Sequence, residues 1–311
     1  MDPARLRLLR ELGDRGSVAA VAAALHVSAS AVSQQLGALQ AGIPVPLTVR
    51  NGRRLVLTEA GEALAVAGAR VEEALADARA AVGSFLEQDD RPVRVSAFHS
   101  AGLTLFGPLL RALGEGQQVA LADADVAQDR FAGLTADHDL VIAHRLAHDP
   151  EWPTARLVVT PLLVEPLDIA LHAAHPLAAQ SSIRPEQLRD ERWISTHEGF
   201  PLAGVLDHLG ALAGRAPRIE HRINEFFVAA EVVRTGAAIA VMPRVTAAAL
   251  AVDGMVLRPV EGVALVRHVD VLARLDALAH APVRRVLAVL QEVVRGRLTS
   301  LRPSGSDGRE A

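Results

Sequence analysis

The first sixty residues carry apolar positions at helical spacing. Leu6, Leu8, Leu9 and Leu12 predict a short amphipathic helix over 5–11, since neighbours three and four apart share one face. Gly16 and Ser17 interrupt it, and Ser17 is placed to cap a second helix over 18–25 by accepting from an unpaired first-turn N–H. Ser28 is placed to cap a third over 29–40, where Val32, Leu36 and Leu39 form the buried stripe. The opposite face shows Ser30, Ser33, Gln34 and Gly37. Two short helices joined by His26-Val27-Ser28, with Ala22 and Ala23 at the crossing, have the pattern of a helix-turn-helix. Ala-rich trihelical units with no such role share that pattern. Asn51-Gly52 then separates two β-prone runs, a hairpin signal because both turn residues need positive φ. Arg50, Arg53 and Arg54 crowd its tip, as in a wing lying on phosphates.

Thr58 is a further cap, and Glu59 and Glu62 suit the positive end of a helix. Leu64, Ala67, Val71, Leu75, Ala78, Val82 and Phe85 then recur at alternating steps of three and four. This heptad seam predicts a rod of about 42 Å, paired with a second copy or else packed on its own domain. A polar break at 88–92 follows. Beyond it, β-type runs (93–98, 119–126, 139–144, 167–172, 193–195, 219–223, 239–242 and 263–273) alternate with helical ones (100–113, 128–135, 202–213, 226–234 and 282–297). Alternation of this kind calls for an α/β body with a parallel sheet and crossover helices. Residues 299–311 are polar and read as a disordered tail.

Composition narrows the chemistry. The chain of 311 residues is 50% hydrophobic and 22% charged, with a net charge of −4, which suits a soluble globular protein. No apolar run reaches the roughly 18 residues of a membrane span, so no membrane partner is expected. The N-terminus lacks a signal-peptide pattern, which points to the cytoplasm. With no Cys there is no disulfide, no Cys-bound zinc and no thiol nucleophile. All 32 basic residues are Arg, which excludes a standard P-loop and a Schiff-base lysine. Residues 1–58 hold seven Arg against three acids, whereas 59–90 hold eight acids against two Arg. A basic headpiece on a near-neutral body is the layout of a polyanion binder.

Motifs for catalysis are missing. His144 and His148 stand four apart, as do Asp168 and His172, without a third ligand at recognisable spacing, so neither metal nor cofactor is expected. There is no Gly-x-Ser-x-Gly elbow and no Gly-x-Gly-x-x-Gly loop. Asp123 and Asp125 share one strand face, but paired acids alone do not define acid–base chemistry. The chain does not read as an enzyme.

The stretch Gly16-Ser17-Val18-Ala19-Ala20-Val21-Ala22-Ala23-Ala24-Leu25-His26-Val27-Ser28-Ala29-Ser30-Ala31-Val32-Ser33-Gln34-Gln35-Leu36, followed by Arg50-Asn51-Gly52-Arg53-Arg54-Leu55-Val56-Leu57-Thr58-Glu59-Ala60-Gly61, resembles the DNA-binding region of LysR-type transcriptional regulators. The match covers some 45 residues, with the spacing between the two stretches preserved. The resemblance implies a winged helix-turn-helix over 1–58, a dimerisation helix over 59–90 and an effector-binding domain over 91–298. That domain would hold two Rossmann-like subdomains, similar to periplasmic binding proteins: 91–160 with 265–298, and 161–264. The chain would cross between them near 160–164 and 259–265. Double-stranded DNA bearing an imperfect inverted repeat, a small-molecule effector, a dimer or dimer of dimers, and RNA polymerase are the implied partners.

This sequence departs from the family where Gln-Pro usually stands, with Ala29-Ser30, and it lacks the Arg often found near Gln34. The third helix is therefore uncharged. Ser28, Ala29, Ser30, Ser33 and Gln34 form the expected reading face, with Gln34 suited to adenine, and Arg50, Arg53 and Arg54 the expected phosphate grip. Ligands of open α/β sheets bind at the carboxyl ends of strands. That rule selects His99 and Ser100 at a helix N-terminus suited to an anion, with His144, Ser195, Thr196 and Phe226. With only nine aromatic residues in the chain, a large ring-stacking effector is disfavoured. The competing reading is a solute-binding protein for transport, which shares the body's architecture but has no use for a winged helix.

Overall fold

The structure is a computed structural model that describes residues 1–51, 54–83, 91–155, 157–200, 202–250 and 254–300. It opens with α1 (Pro3–Arg15), α2 (Val18–Ala24) and α3 (Ala29–Gln40). Each begins where a short polar side chain satisfies a first-turn N–H. Asp2 accepts from Ala4 N at 2.9 Å, Ser17 from Ala20 N at 3.2 Å and Ser28 from Ala31 N at 3.1 Å. The turn into α3 holds His26 at φ 54°, a left-handed conformation costing a non-glycine residue about 1 kcal/mol. Leu6, Leu9, Leu12, Val21, Val32, Leu36 and Leu39 close one core, the stripes that periodicity marks. Gln40 then shapes the connection to the wing. Its Nε2 donates to Ile43 O and Val45 O, and its Oε1 accepts from Leu47 N at 2.8 Å. In the wing, β1 (Thr48–Asn51) and β2 (Arg54–Leu57) pair antiparallel with Asn51 opposite Arg54. The tip itself, Gly52-Arg53, lies outside the described residues.

Thr58 caps α4 (Glu59–Gly83), accepting from Gly61 N at 3.0 Å while donating to Pro46 O at 2.7 Å. Glycine is required at 61: a Cβ there would lie 2.0 Å from the Leu47 carbonyl oxygen. Along one face, Ala65 and Ala69 are buried and Gly68 lies against Leu6 of α1. Val71 and Leu75 of the heptad seam face solvent, 38% and 39% exposed. The helix thus packs on its own chain along one side and leaves part of the seam open. Phe85 falls outside the described residues.

The body runs β3 (Val93–Ala97), α5 (His99–Leu113), β4 (Val119–Asp123), α6 (Phe131–Leu134), β5 (Leu140–Leu146) and β6 (Leu157–His172). It continues through β7 (Arg192–Ser195), α7 (Ala203–Ala213), β8 (Arg218–Arg222), α8 (Phe226–Arg234), β9 (Ile239–Pro243) and β10 (Met255–Arg258). The last elements are β11 (Val266–Arg274), α9 (Leu275–Leu278) and α10 (Ala281–Ser300). Helix α10 therefore takes in Thr299 and Ser300, which the sequence assigns to the tail.

Strand order is β4-β3-β5-β11-β6-β9-β7-β8, with β10 also on β6. The expected parallel pairing is found in β4-β3-β5 and in β9-β7-β8, whereas β6 and β11 run antiparallel to their neighbours. A chain passing between two lobes runs straight on in one long strand and does not return over a crossover helix. Strand β6 pairs with β11 from Leu157 to Pro166 and with β9 from Leu167, so its partner changes later than at 160–164. Pro161 is tolerated because the register shifts opposite Val269/Asp270 there. Separate cores form on either side. Val95, Leu105, Leu109, Ile142, Val271 and Leu290 fill one lobe, and Ile169, Ile183, Trp193, Leu206, Leu209 and Ile239 the other.

Ion pairs tie the headpiece to the body. Arg10 of α1, 2% exposed, lies 2.9 Å from Glu72 of α4 and 3.5 Å from Asp276 of α9, and donates to Glu11 at 3.1 Å. Arg15 bonds Glu11 at 2.7 Å and reaches Asp137 at 3.0 Å and Ala136 O at 3.1 Å. Burial opposes the charge on Arg10, but Asp276, Glu72 and Glu11 outweigh it and raise its pKa. Glu72 ends above its ordinary value, because burial there exceeds the pull of Arg10.

Candidate effector cleft and DNA-reading face

Ser28 caps α3 and Ala29, Ser30, Ser33 and Gln34 lie on its N-terminal half, all five open to solvent, and Arg50 and Arg54 are exposed on the wing. Ser28 is occupied by its capping bond and by a 2.9 Å hydrogen bond shared with Ser30. Ser33 and Gln34 are left presenting polar groups outward.

Between the lobes lies a cavity of about 600 Å³. His99, Ser100, His144, Thr196 and Phe226 line it. Ser195 does not: it is 5% exposed, at the end of β7, away from the lining. Alternation along a strand explains the correction, since successive side chains face opposite sides. Phe98, Phe106, Phe200, Phe226 and Phe227 border the cavity, five of the seven phenylalanines in the chain. The scarcity of rings in the sequence therefore does not hold at the site. The fold concentrates them here.

The polar lining also includes Asp123, Asp125 and Glu225, acids that the strand-end rule did not select. His99 Nε2 is 2.9 Å from Asp123, and His99 Nδ1 lies against Glu225 of the opposite lobe. Asp125 joins them: one donor atom each from His99, Asp125 and Glu225 lie within 4.8 Å of one another. Sequence spacing could not reveal this set, because its members lie far apart along the chain. The pairs that spacing did mark are engaged otherwise. Asp168 takes both Arg244 Nε and Nη2 at 2.6 Å, and His144 is buried with its ring 4.4 Å from that of Phe98.

Ser100 belongs to a buried network at the root of the cleft. Arg267 of β11, fully buried, donates from Nε to Glu165 of β6 at 2.8 Å, and from Nη2 to Ser100 Oγ at 3.1 Å and Thr246 Oγ1 at 2.6 Å. Glu165 also accepts from Val245 N, Thr246 N and Thr246 Oγ1. Residues from both lobes meet at this point. Arg267 Nη1 and Thr196 Oγ1, on residues that line the cavity, are buried without a hydrogen-bond partner. Burial and then Arg267 hold the His144 imidazole well below its ordinary value, so that ring is neutral.

Burial lifts the Asp125 carboxyl to about 6; His99 and Arg267 pull against the lift and Glu225 adds to it. The folded protein therefore keeps a proton that the unfolded chain releases near its usual value of 3.8. Stability from this group is present below that value and is lost as pH rises to about 6. Removing the charge with Asp125→Asn should raise unfolding free energy at pH 7.5 by on the order of 1 kcal/mol, a figure reduced for partial solvent screening. At pH 4.5, still above the unfolded value of 3.8, the gain should fall to about a third of that. Urea unfolding at the two pH values checks this, and an equal shift at both would rule out titration as the cause.

A winged helix-turn-helix carried by a long helix on a two-lobed body with a ligand-sized cleft defines a DNA-binding regulator that answers to a small molecule. The profile described as bacterial regulatory helix-turn-helix protein, lysR family, matches residues 3–62, and that of the LysR substrate binding domain matches residues 86–295. The chain belongs to the LysR family of transcriptional regulators. It is 25% identical over 268 residues to a probable RuBisCO transcriptional regulator of Trichormus variabilis, covering 85% of this chain and 80% of that protein. It shares its fold with a full-length OxyR variant from Pseudomonas aeruginosa, with TM-score 0.62, 22% identity and 95% of both chains covered. It also shares it with CbnR solved with its target DNA, with TM-score 0.51, 21% identity, and 94% of this chain and 100% of that one covered. The match at 3–62 sets aside the transport reading. No described helix is long and apolar enough to cross a membrane.

Proposed function

We propose that this protein acts in the cytoplasm as a dimer, reads an imperfect inverted repeat through two copies of α3, and answers to an effector held between its lobes. The observation that carries this reading is the exposed, uncharged face Ser30-Ser33-Gln34 beside the wing arginines. Side chains at the start of a recognition helix reach base edges, whereas cations on a wing neutralise phosphates. The exposed Val71 and Leu75 support pairing of α4 with a second copy.

Footprinting on the DNA upstream of its own coding region, with and without candidate metabolites, tests the whole reading. Gln34→Ala should relax sequence preference at one position by about 1–3 kcal/mol. Arg54→Ala should weaken binding to all sequences about equally and lower the salt slope by about one for each phosphate it no longer neutralises. With α3 uncharged, the slope for the intact dimer should be shallower than about −8. A steeper slope, or the opposite division between Gln34 and Arg54, would overturn these roles.

A further inference from the structure

The cleft is lined by charges of both signs, Arg267 on the one hand and Asp125 and Glu225 on the other, and this bears on what it holds. Its basic pole is Arg267, whose Nη1 is fully buried, unpartnered and on a residue of the lining. Thr196 Oγ1, also unpartnered, lines the same cavity. A buried donor without an acceptor costs about 1–3 kcal/mol, and a carboxylate entering the cavity would remove that cost at both. The acidic pole is Asp125 with Glu225. Asp125 accepts no hydrogen bond from any described residue, and burial beside Glu225 makes it hold its proton to about pH 6. A cation brought between the two would relieve that crowding. Both nitrogens of His99 face carboxylates, Asp123 on one side and Glu225 on the other. An ammonium group, with three donors and no acceptor, suits the carboxylates of Asp125 and Glu225, whose ligand atoms lie with that of His99 within 4.8 Å of one another. Phe98, Phe106, Phe200, Phe226 and Phe227, from both lobes, give the same cavity an apolar wall.

We propose that the effector is a zwitterion with an apolar body, a hydrophobic amino acid, its carboxylate on Arg267 and Thr196 and its ammonium on Asp125 and Glu225. Asp125 belongs to one lobe and Glu225 to the other, so the ammonium group draws the lobes together. The proposal rests on the effector-cleft reading above and names its ligand class.

Isothermal titration calorimetry on the full-length protein with L-phenylalanine, L-leucine and L-methionine tests it. The controls are 3-phenylpropanoate, which lacks the amine, phenethylamine, which lacks the carboxylate, and zinc chloride. At least one amino acid should bind tenfold or more tightly than either fragment. Asp125→Asn and Glu225→Gln should each weaken that binding about tenfold and leave 3-phenylpropanoate unaffected, with thermal unfolding confirming that both variants are folded. Preference for 3-phenylpropanoate, for phenethylamine or for zinc would each overturn the proposal, as would no binding by any of the three amino acids. Footprinting on the same preparation separates the cases, because DNA protection that persists leaves the regulator reading intact while the ligand class fails.

Discussion

Replacing Glu165 with Gln should lower the unfolding midpoint by about 10 °C, equivalent to roughly 3 kcal/mol. The reason lies in how many groups depend on this one side chain. It is fully buried and accepts from Arg267 Nε, Val245 N, Thr246 N and Thr246 Oγ1. Glutamine has one acceptor oxygen, so at least one buried donor is left without its partner. The guanidinium of Arg267, at 0% exposure, would also be deprived of its counter-ion. Breaking one side of a buried pair is more costly than removing both. Adding Arg267→Met should therefore recover much of the loss, with a coupling of about 2 kcal/mol in a double-mutant cycle. Calorimetry on the four proteins measures it, and a loss below about 1 kcal/mol for the single change would show that the pair is already screened by water. The network joins β6, β11, α5 and the segment after β9, so the Gln variant should also loosen the angle between lobes.

The second large effect is expected at the headpiece junction. Arg10→Ala removes a guanidinium that faces Glu11, Glu72 and Asp276 together, at 2–3% exposure for Arg10 and Glu11. Arg274 still reaches Glu11 at 3.6 Å and Asp276 at 3.2 Å. Glu72, already above its ordinary value through burial, forms its 2.9 Å ion pair with Arg10 and has no second such pair among the described residues. A cost of about 3 kcal/mol follows, mostly the penalty of the stranded carboxylate. Because the cluster joins α1, α4 and α9, the loss should appear as an early transition of the headpiece and faster proteolysis after α3, with the lobes unaffected. Combining Arg10→Ala with Glu72→Gln should restore part of it. A single, unchanged unfolding transition would show that the headpiece does not depend on this cluster. Strand β11 carries Arg267 at the cleft and ends at Arg274 beside this cluster, so cleft and junction share one rigid element.

Much of the headpiece is legible in the sequence. Ser17, Ser28 and Thr58 cap the helices they precede, and Leu6, Leu9, Val32, Leu36 and Leu39 are buried where periodicity places them. The body is legible as alternating elements but not as a sheet. Its pattern marks no strand over the first ten residues of β6 and none at β10. Pro161 and Pro166 argue locally against a strand, yet β6 persists through both because β11 supplies partners on one side. At the cleft the outcome is uneven. His99, Ser100, His144, Thr196 and Phe226 follow from the strand-end rule, whereas Glu225, Asp125 and Arg267 require knowing which elements face one another.

Taken alone, the order of residues determined what depends on neighbours within about four positions: helix starts, buried stripes, the hairpin and the uncharged reading face. Tertiary structure alone decided the chemistry between the lobes. Arg267 and Glu165 stand 102 positions apart and His99 and Glu225 further still, and such pairs meet only through non-local strand pairing. Five phenylalanines thinly spread along the chain become a single apolar lining for the same reason.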